Sequence, residues 1–251
     1  MTTARMPFVI FFLERSGSSH LCSLLDSHPQ ICCGAEEFTT RRVPETSPHD
    51  APRYIHSRQL KLLDPSNEQS IEHLNNIFAR SEHASGFKLK YPIQFNRYPE
   101  ITESLLQMKD SVRVIHLDRE NVLKKFVSKQ VLVQQRQGDP NFRRSESVKF
   151  EPVHIELGSM LETLTRFESQ RQELEKLAKP FEHRLAIEYE RFNSDQDSLV
   201  KELLEFLHVD ETHKLDSKFQ KKTPQSMQES VANFDEMKQI IKGTTYEAML
   251  E

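Results

Sequence analysis

Phe8-Val-Ile-Phe-Phe-Leu-Glu-Arg-Ser-Gly-Ser-Ser-His-Leu-Cys-Ser-Leu-Leu25 is the stretch from which the fold follows. Phe8 to Leu13 is apolar without alternation and rich in β-branched and aromatic side chains, which predicts a buried parallel strand. Glu14-Arg15-Ser16-Gly17-Ser18-Ser19 breaks that run as a small polar turn, and Leu21, Leu24 and Leu25 resume at helical spacing. A strand, a tight turn and a helix start bring successive backbone N–H groups toward one point, where the helix dipole adds positive potential. Gly17 permits the turn, Ser18 and Ser19 offer hydroxyl donors, and Arg15 supplies a fixed cation. The loop is suited to a phosphate or sulfate, with an ordinary Ser/Gly turn as the plain alternative.

The 251 residues fit one α/β domain spanning 1–251, with ample length for a core. A net charge of −4 with both signs interspersed gives no global field for nucleic acid, so any anion site must be local. Cys22, Cys32 and Cys33 have no metal spacing, and their odd number argues for buried thiols in a reducing compartment. The first apolar run is too short for a signal peptide and no membrane span follows it, so a soluble, cytoplasmic protein is expected.

Farther along, Ile31-Cys32-Cys33 reads as a second short strand after the helix stop at Pro29. Residues 40–66 hold four prolines among polar residues and predict no regular element. Ser66 and Gln69 suggest a capping box for a helix through Phe78. Gly86 to Tyr91 alternates as a strand with Lys88 and Lys90 on one face, either facing an anion or simply solvated. Val112 to Leu117 is the next strand, ending in Asp118-Arg119, and a helix follows from Glu120 to about Gln135.

That helix buries Leu123, Val127 and Val131, while Asn121, Lys124, Lys125 and Ser128 fall on an adjoining face. Arg119 and Ser128 can therefore converge on one anion. After an irregular stretch, 138–152, a helix is expected from Ile155 to Ala178. Its core side would carry Met160, Leu161, Leu164, Phe167, Leu174 and Leu177. A strand from His183 to Tyr189 and a helix from Asp197 to Leu207 complete the pattern. The fold class is α/β, a central parallel β-sheet flanked by helices, with the ligand at the strands' carboxyl ends.

Neither Gly-x-x-x-x-Gly-Lys-Ser/Thr nor Gly-x-Gly-x-x-Gly is present. Arg15-Ser-Gly-Ser-Ser-His-Leu21 instead resembles the 5′-phosphosulfate loop of sulfotransferases that use 3′-phosphoadenosine 5′-phosphosulfate (PAPS). The nearest likeness is to bacterial carbohydrate sulfotransferases of the trehalose and nodulation-factor type, in which arginine opens the loop. Arg119 and Ser128, eight residues between them, resemble the pair that holds the cofactor's 3′-phosphate there.

The resemblance implies a P-loop-like fold in which Arg15, Ser16, Gly17, Ser18, Ser19 and His20 bind the donor. It also implies a hydroxylated small-molecule acceptor and release of adenosine 3′,5′-bisphosphate. Gly34-Ala-Glu-Glu-Phe38 matches a Gly-Glu-Pro-Phe type segment, which makes Glu36 the expected base. Glu37 replaces the usual proline, so the choice between the two glutamates stays open, with His20 as the fallback. Lys221 and Lys222 lie in a stretch resembling the basic segment that closes over the cofactor. Tyr189-Glu-Arg-Phe192 resembles a Tyr-Glu-Asp-Leu motif and is assigned to packing. Two rival readings remain: a P-loop kinase or nucleotide triphosphatase, with Val112–Asp118 as a Walker B mimic, and a catalytically silent nucleotide-binding relative.

Overall fold

The computed structural model describes residues 5–38, 42–44, 60–62, 67–138, 151–217 and 226–250. Its strands are β1 (Met6–Phe12), β2 (Ile31–Gly34), β3 (Arg42–Pro44), β4 (Leu60–Leu62), β5 (Ala84–Lys90), β6 (Arg113–Asp118) and β7 (His183–Glu188). The helices are α1 (Ser18–Asp26), α2 (Asn67–Phe78), α3 (Ile93–Arg97), α4 (Pro99–Gln107), α5 (Val122–Gly138), α6 (Met160–Ala178), α7 (Tyr189–Ser194), α8 (Gln196–Phe206), α9 (Met227–Ser230) and α10 (Phe234–Ile241). Five strands make one sheet in the order β2-β5-β1-β6-β7, and every neighbouring pair is parallel.

Burial on both faces explains the unbroken apolar run of β1. On one face Phe8, Ile10 and Phe12 pack with Leu21, Leu24 and Leu25 of α1 and Leu199 and Leu203 of α8. On the other, Val9 and Phe11 meet Leu74 and Ile77 of α2, Ile101 and Leu105 of α4, and Leu174 of α6. A third cluster joins Leu123, Phe126 and Val127 of α5 to Leu164 and Phe167 of α6 and Met237 and Ile241 of α10. β5 can lie so close to β1 because Gly86 pairs with Phe8; a Cβ there would stand 2.1 Å from the Phe8 carbonyl oxygen.

From β1 the chain crosses by α1 to β2 and returns through β5, then continues on the opposite flank as β6 and β7. The loop after β1 therefore occupies the topological switch point at the strands' carboxyl ends, where such sheets bind ligands. All three cysteines are free and buried. Cys22 Sγ donates to the Gly34 carbonyl at 3.2 Å and stands 3.3 Å from Cys33 Sγ, and burial pushes the Cys33 thiol up from its ordinary pKa.

Several expectations need correction. Helix α6 starts at Met160 rather than Ile155. The Ile155 N–H donates to Asn233 Oδ1 at 2.9 Å and its carbonyl accepts from Asn233 Nδ2 at 3.0 Å, so those groups are taken before a helix can use them. Leu161 is 38% exposed and leaves the core stripe. Tyr189 begins α7 instead of ending β7. Within 40–66, β3 and β4 form a short antiparallel pair where no regular element was expected. Ser66 of the capping box lies outside the described residues.

Candidate active site

The loop after β1 contains two residues in the left-handed region, Arg15 at φ 66° and Gly17 at φ 83°. Gly17 needs this freedom twice over, because a Cβ would also lie 2.7 Å from the Tyr189 ring packed against it. Its carbonyl accepts from the His20 and Leu21 N–H groups, and α1 begins at Ser18. Ser16 turns its hydroxyl back to the Leu13 carbonyl at 2.8 Å, which leaves only its backbone to face a ligand. Ser18 is buried at the helix start.

Arg15 is a non-glycine residue in a conformation that costs roughly 1–2 kcal/mol. Both ends of the residue are held. Its Nε and Nη2 donate to Ser128 Oγ at 2.9 and 2.7 Å, and its carbonyl accepts from Arg119 Nη1 at 3.2 Å. Arg119 lies over the Tyr189 ring, 4.5 Å from its centroid, and its Nε is 3.8 Å from Glu190. Burial moves the Arg119 pKa down, opposed by Tyr189 and Glu190, but a guanidinium remains charged. The Glu190 carboxylate also accepts from the Glu120 and Asn121 N–H groups, while Asn121 Oδ1 caps α5 by accepting from the Lys124 N–H at 2.7 Å.

On the β5 side, Lys88 is buried and donates to Ser19 Oγ at 2.9 Å. Glu36 lies 3.0 Å from Lys90 Nζ and 3.7 Å from Lys88 Nζ, so a carboxylate is linked through Lys88 to the loop hydroxyl. Glu37 points elsewhere. It is buried, 2.6 Å from Arg80 and 3.5 Å from His73. Burial alone would raise its pKa, but His73 and Arg80 more than offset that and hold it down to about 2.

Arg15, Arg119 and Ser128 are thus brought together, as are Ser19, Lys88 and Glu36. His20 turns to the opposite side, with Nε2 3.2 Å from Gln196 Oε1 and its ring 5.0 Å from that of Phe192. Lys221 and Lys222 lie outside the described residues.

Sequence reading underrated Tyr189 and Lys88. Lys88 shares its strand face with Ala84 and Gly86, the small residues lying under the α1 layer, and that pattern signals burial. Tyr189 follows a strand in register with β6, which places it beside Arg119. Asp118, the candidate magnesium ligand of the kinase reading, accepts from Arg171 Nε at 2.6 Å and from the Arg119 N–H at 2.7 Å. Among the described residues no cluster of His, Cys, Asp or Glu is arranged for a metal ion, and no helix is long and apolar enough to cross a membrane.

The arrangement combines two guanidiniums, a helix start and a nearby carboxylate, which suits an oxyanion beside a proton acceptor. The sulfotransferase family profile matches residues 7–213. The crystal structure of a sulfotransferase from Alicyclobacillus acidocaldarius shares the fold, with a TM-score of 0.52 over 99% of this chain and 96% of that one at 17% identity. No curated protein matches. With the family match covering most of its length, the chain belongs to the sulfotransferase family.

Proposed function

We propose that the protein moves the sulfuryl group of PAPS to a hydroxyl of a carbohydrate or other small-molecule acceptor, leaving adenosine 3′,5′-bisphosphate. The observation that carries this reading is the convergence of Arg15, Arg119 and Ser128 within one hydrogen-bonded unit. Two guanidiniums that close to a helix start suit a ligand with phosphate groups at both its 5′ and 3′ ends.

In this reading Arg15 and the N–H groups from Gly17 to Ser19 hold the 5′ end, and Arg119 and Ser128 hold the 3′-phosphate. Glu36 takes the acceptor proton as the acceptor oxygen bonds to sulfur and the bond from sulfur to the 5′-phosphate oxygen breaks. Arg15 offsets the charge left on that phosphate oxygen, a preorganised electrostatic role. Lys88, between Glu36 and Ser19, keeps the base and the loop in fixed relation.

The test is incubation with PAPS and a library of hydroxylated metabolites, read by mass spectrometry. A sulfated product formed in step with adenosine 3′,5′-bisphosphate is expected. Bisphosphate binding without any product points to a silent relative, and magnesium-dependent ATP turnover to the kinase reading.

A further inference from the structure

Five charged side chains meet where the loop after β1 faces α5 and α6: Glu14, Asp118, Lys125, Lys129 and Arg171. Both carboxylates are already paired. Glu14 lies 2.5 Å from Lys129 Nζ, and Asp118 lies 2.6 Å from Arg171 Nε. Lys125 is left over. It is 1% exposed, and among the described residues its Nζ has no hydrogen-bond partner. The Phe167 ring lies against its Nζ, with the centroid at 4.0 Å, and Lys129 overlies the same ring at 5.6 Å.

An aromatic face attracts a cation but satisfies none of its N–H groups. A buried ammonium in that state is costly, and burial with Lys129 and Arg171 nearby pulls its pKa down to about 8. Among the described residues three cations face two anions, which leaves the cluster one negative charge short.

We propose that Lys125 is the receiving cation of a second oxyanion site, which takes a carboxylate, sulfate or phosphate-monoester group carried by the acceptor. The assignment rests on the sulfotransferase reading above. Lys125 is three residues before Ser128 on α5, and Glu14 is next to Arg15, so the site adjoins the loop on the β6 side of β1. Glu36, Lys88 and Lys90 lie on the β5 side of the same loop. The Glu14–Lys129 pair borders Lys125 in this cluster. With side chains 37% and 35% exposed it is a surface ion pair, which opens at little cost. An entering oxyanion then meets Lys125 and Lys129 together while Glu14 turns to water.

The experiment melts the full chain, saturated with adenosine 3′,5′-bisphosphate, in millimolar sodium sulfate against sodium chloride of equal ionic strength. Sulfate should raise the wild-type Tm by a few degrees. Lys125→Met, which removes the unpaired charge at similar length, should melt higher than wild type without sulfate and show no sulfate-specific rise. Lys125→Gln should lose the rise as well.

A second arm compares glucuronic acid with glucose as acceptors. A preference in kcat/KM of roughly 10–100-fold for the acid, the size of one charge-assisted hydrogen bond, should fall to near unity in Lys125→Met. An equal sulfate response in all three proteins overturns the site, as does a Lys125→Met that melts below wild type, since Lys125 would then be a structural cation. A sulfate response with no acceptor preference overturns the acceptor as the source and leaves a free anion. If neither sugar is sulfated, the melting arm decides alone. A failure of the bisphosphate to stabilise any variant would count against the donor reading instead.

Discussion

Arg15 and Ser128, 113 residues apart in the chain, share a single hydroxyl: Ser128 Oγ accepts from both Nε and Nη2 of the guanidinium. The first strand–helix junction and the second turn of α5 are therefore held together. Arg15→Ala should lower turnover by roughly 10²–10³, the cost of one preorganised donor at a developing oxyanion. Arg15→Lys should recover part of it, since charge survives without the planar fork. Steady-state rates with PAPS and any acceptor decide, and near-normal turnover in the alanine variant contradicts the role.

Arg119 should determine whether the protein distinguishes a 3′-phosphate. Adenosine 3′,5′-bisphosphate at a hundredfold excess over its Kd should stabilise the protein by about 2.7 kcal/mol, and AMP by much less. Arg119→Met should bring the two ligands level in a thermal-shift titration. Equal stabilisation of the wild type by both would remove the basis for assigning Arg119 and Ser128 to that phosphate.

Glu36→Gln should reduce turnover by roughly 10²–10⁴, the usual worth of a general base, with little change in bisphosphate affinity. His20→Ala should keep most activity, because His20 faces Gln196 and Phe192. Single-turnover transfer across pH tests both. Full activity in Glu36→Gln together with loss in His20→Ala would reverse the assignment.

Glu37 predicts a stability effect with a defined pH window. Its carboxyl is held at about 2 in the folded protein against an ordinary 4.5, so ionised Glu37 stabilises the fold above about 4.5. That contribution, on the order of 3 kcal/mol, is lost as pH falls from about 4.5 to about 2. Glu37→Gln leaves Arg80 buried without its charge partner and should be less stable than wild type at neutral pH. Denaturant titrations should show the gap narrowing through that window, and a pH-independent gap would rule out the linkage.

Much of this was readable from residues alone because each signal was local. The apolar run of β1, the Gly17 turn and the leucine spacing of α1 lie within one short stretch, and parallel burial left them no alternative arrangement. The closeness of Arg119 and Ser128 to the first loop was legible for a similar reason, since a strand end and a helix face fix their relative positions. Which of Glu36 and Glu37 faces the loop was not legible. It depends on Arg80 and His73, which reach Glu37 from residues far along the chain. The start of α6 was misread because Asn233, nearly eighty residues later, takes the backbone groups of Ile155 (|i−j| = 78). Helical spacing put Lys125 only on a face adjoining the core stripe; the placement of Phe167 shows it to be buried.

Because all three thiols are buried, no surface cysteine competes for a thiol-specific reagent. Cys22 is carried on α1, the helix that begins at the Gly17 loop, and its sulfur is covered by the Cys33 and Gly34 carbonyls of β2. Lifting α1 from the sheet would expose that sulfur to a reagent. The labelling rate of Cys22 is thus a clock for the opening of the loop's own helix, which can occur well below the cost of global unfolding. The molecule carries a built-in reporter of how firmly the helix behind the Gly17 loop is held, readable before any acceptor is known.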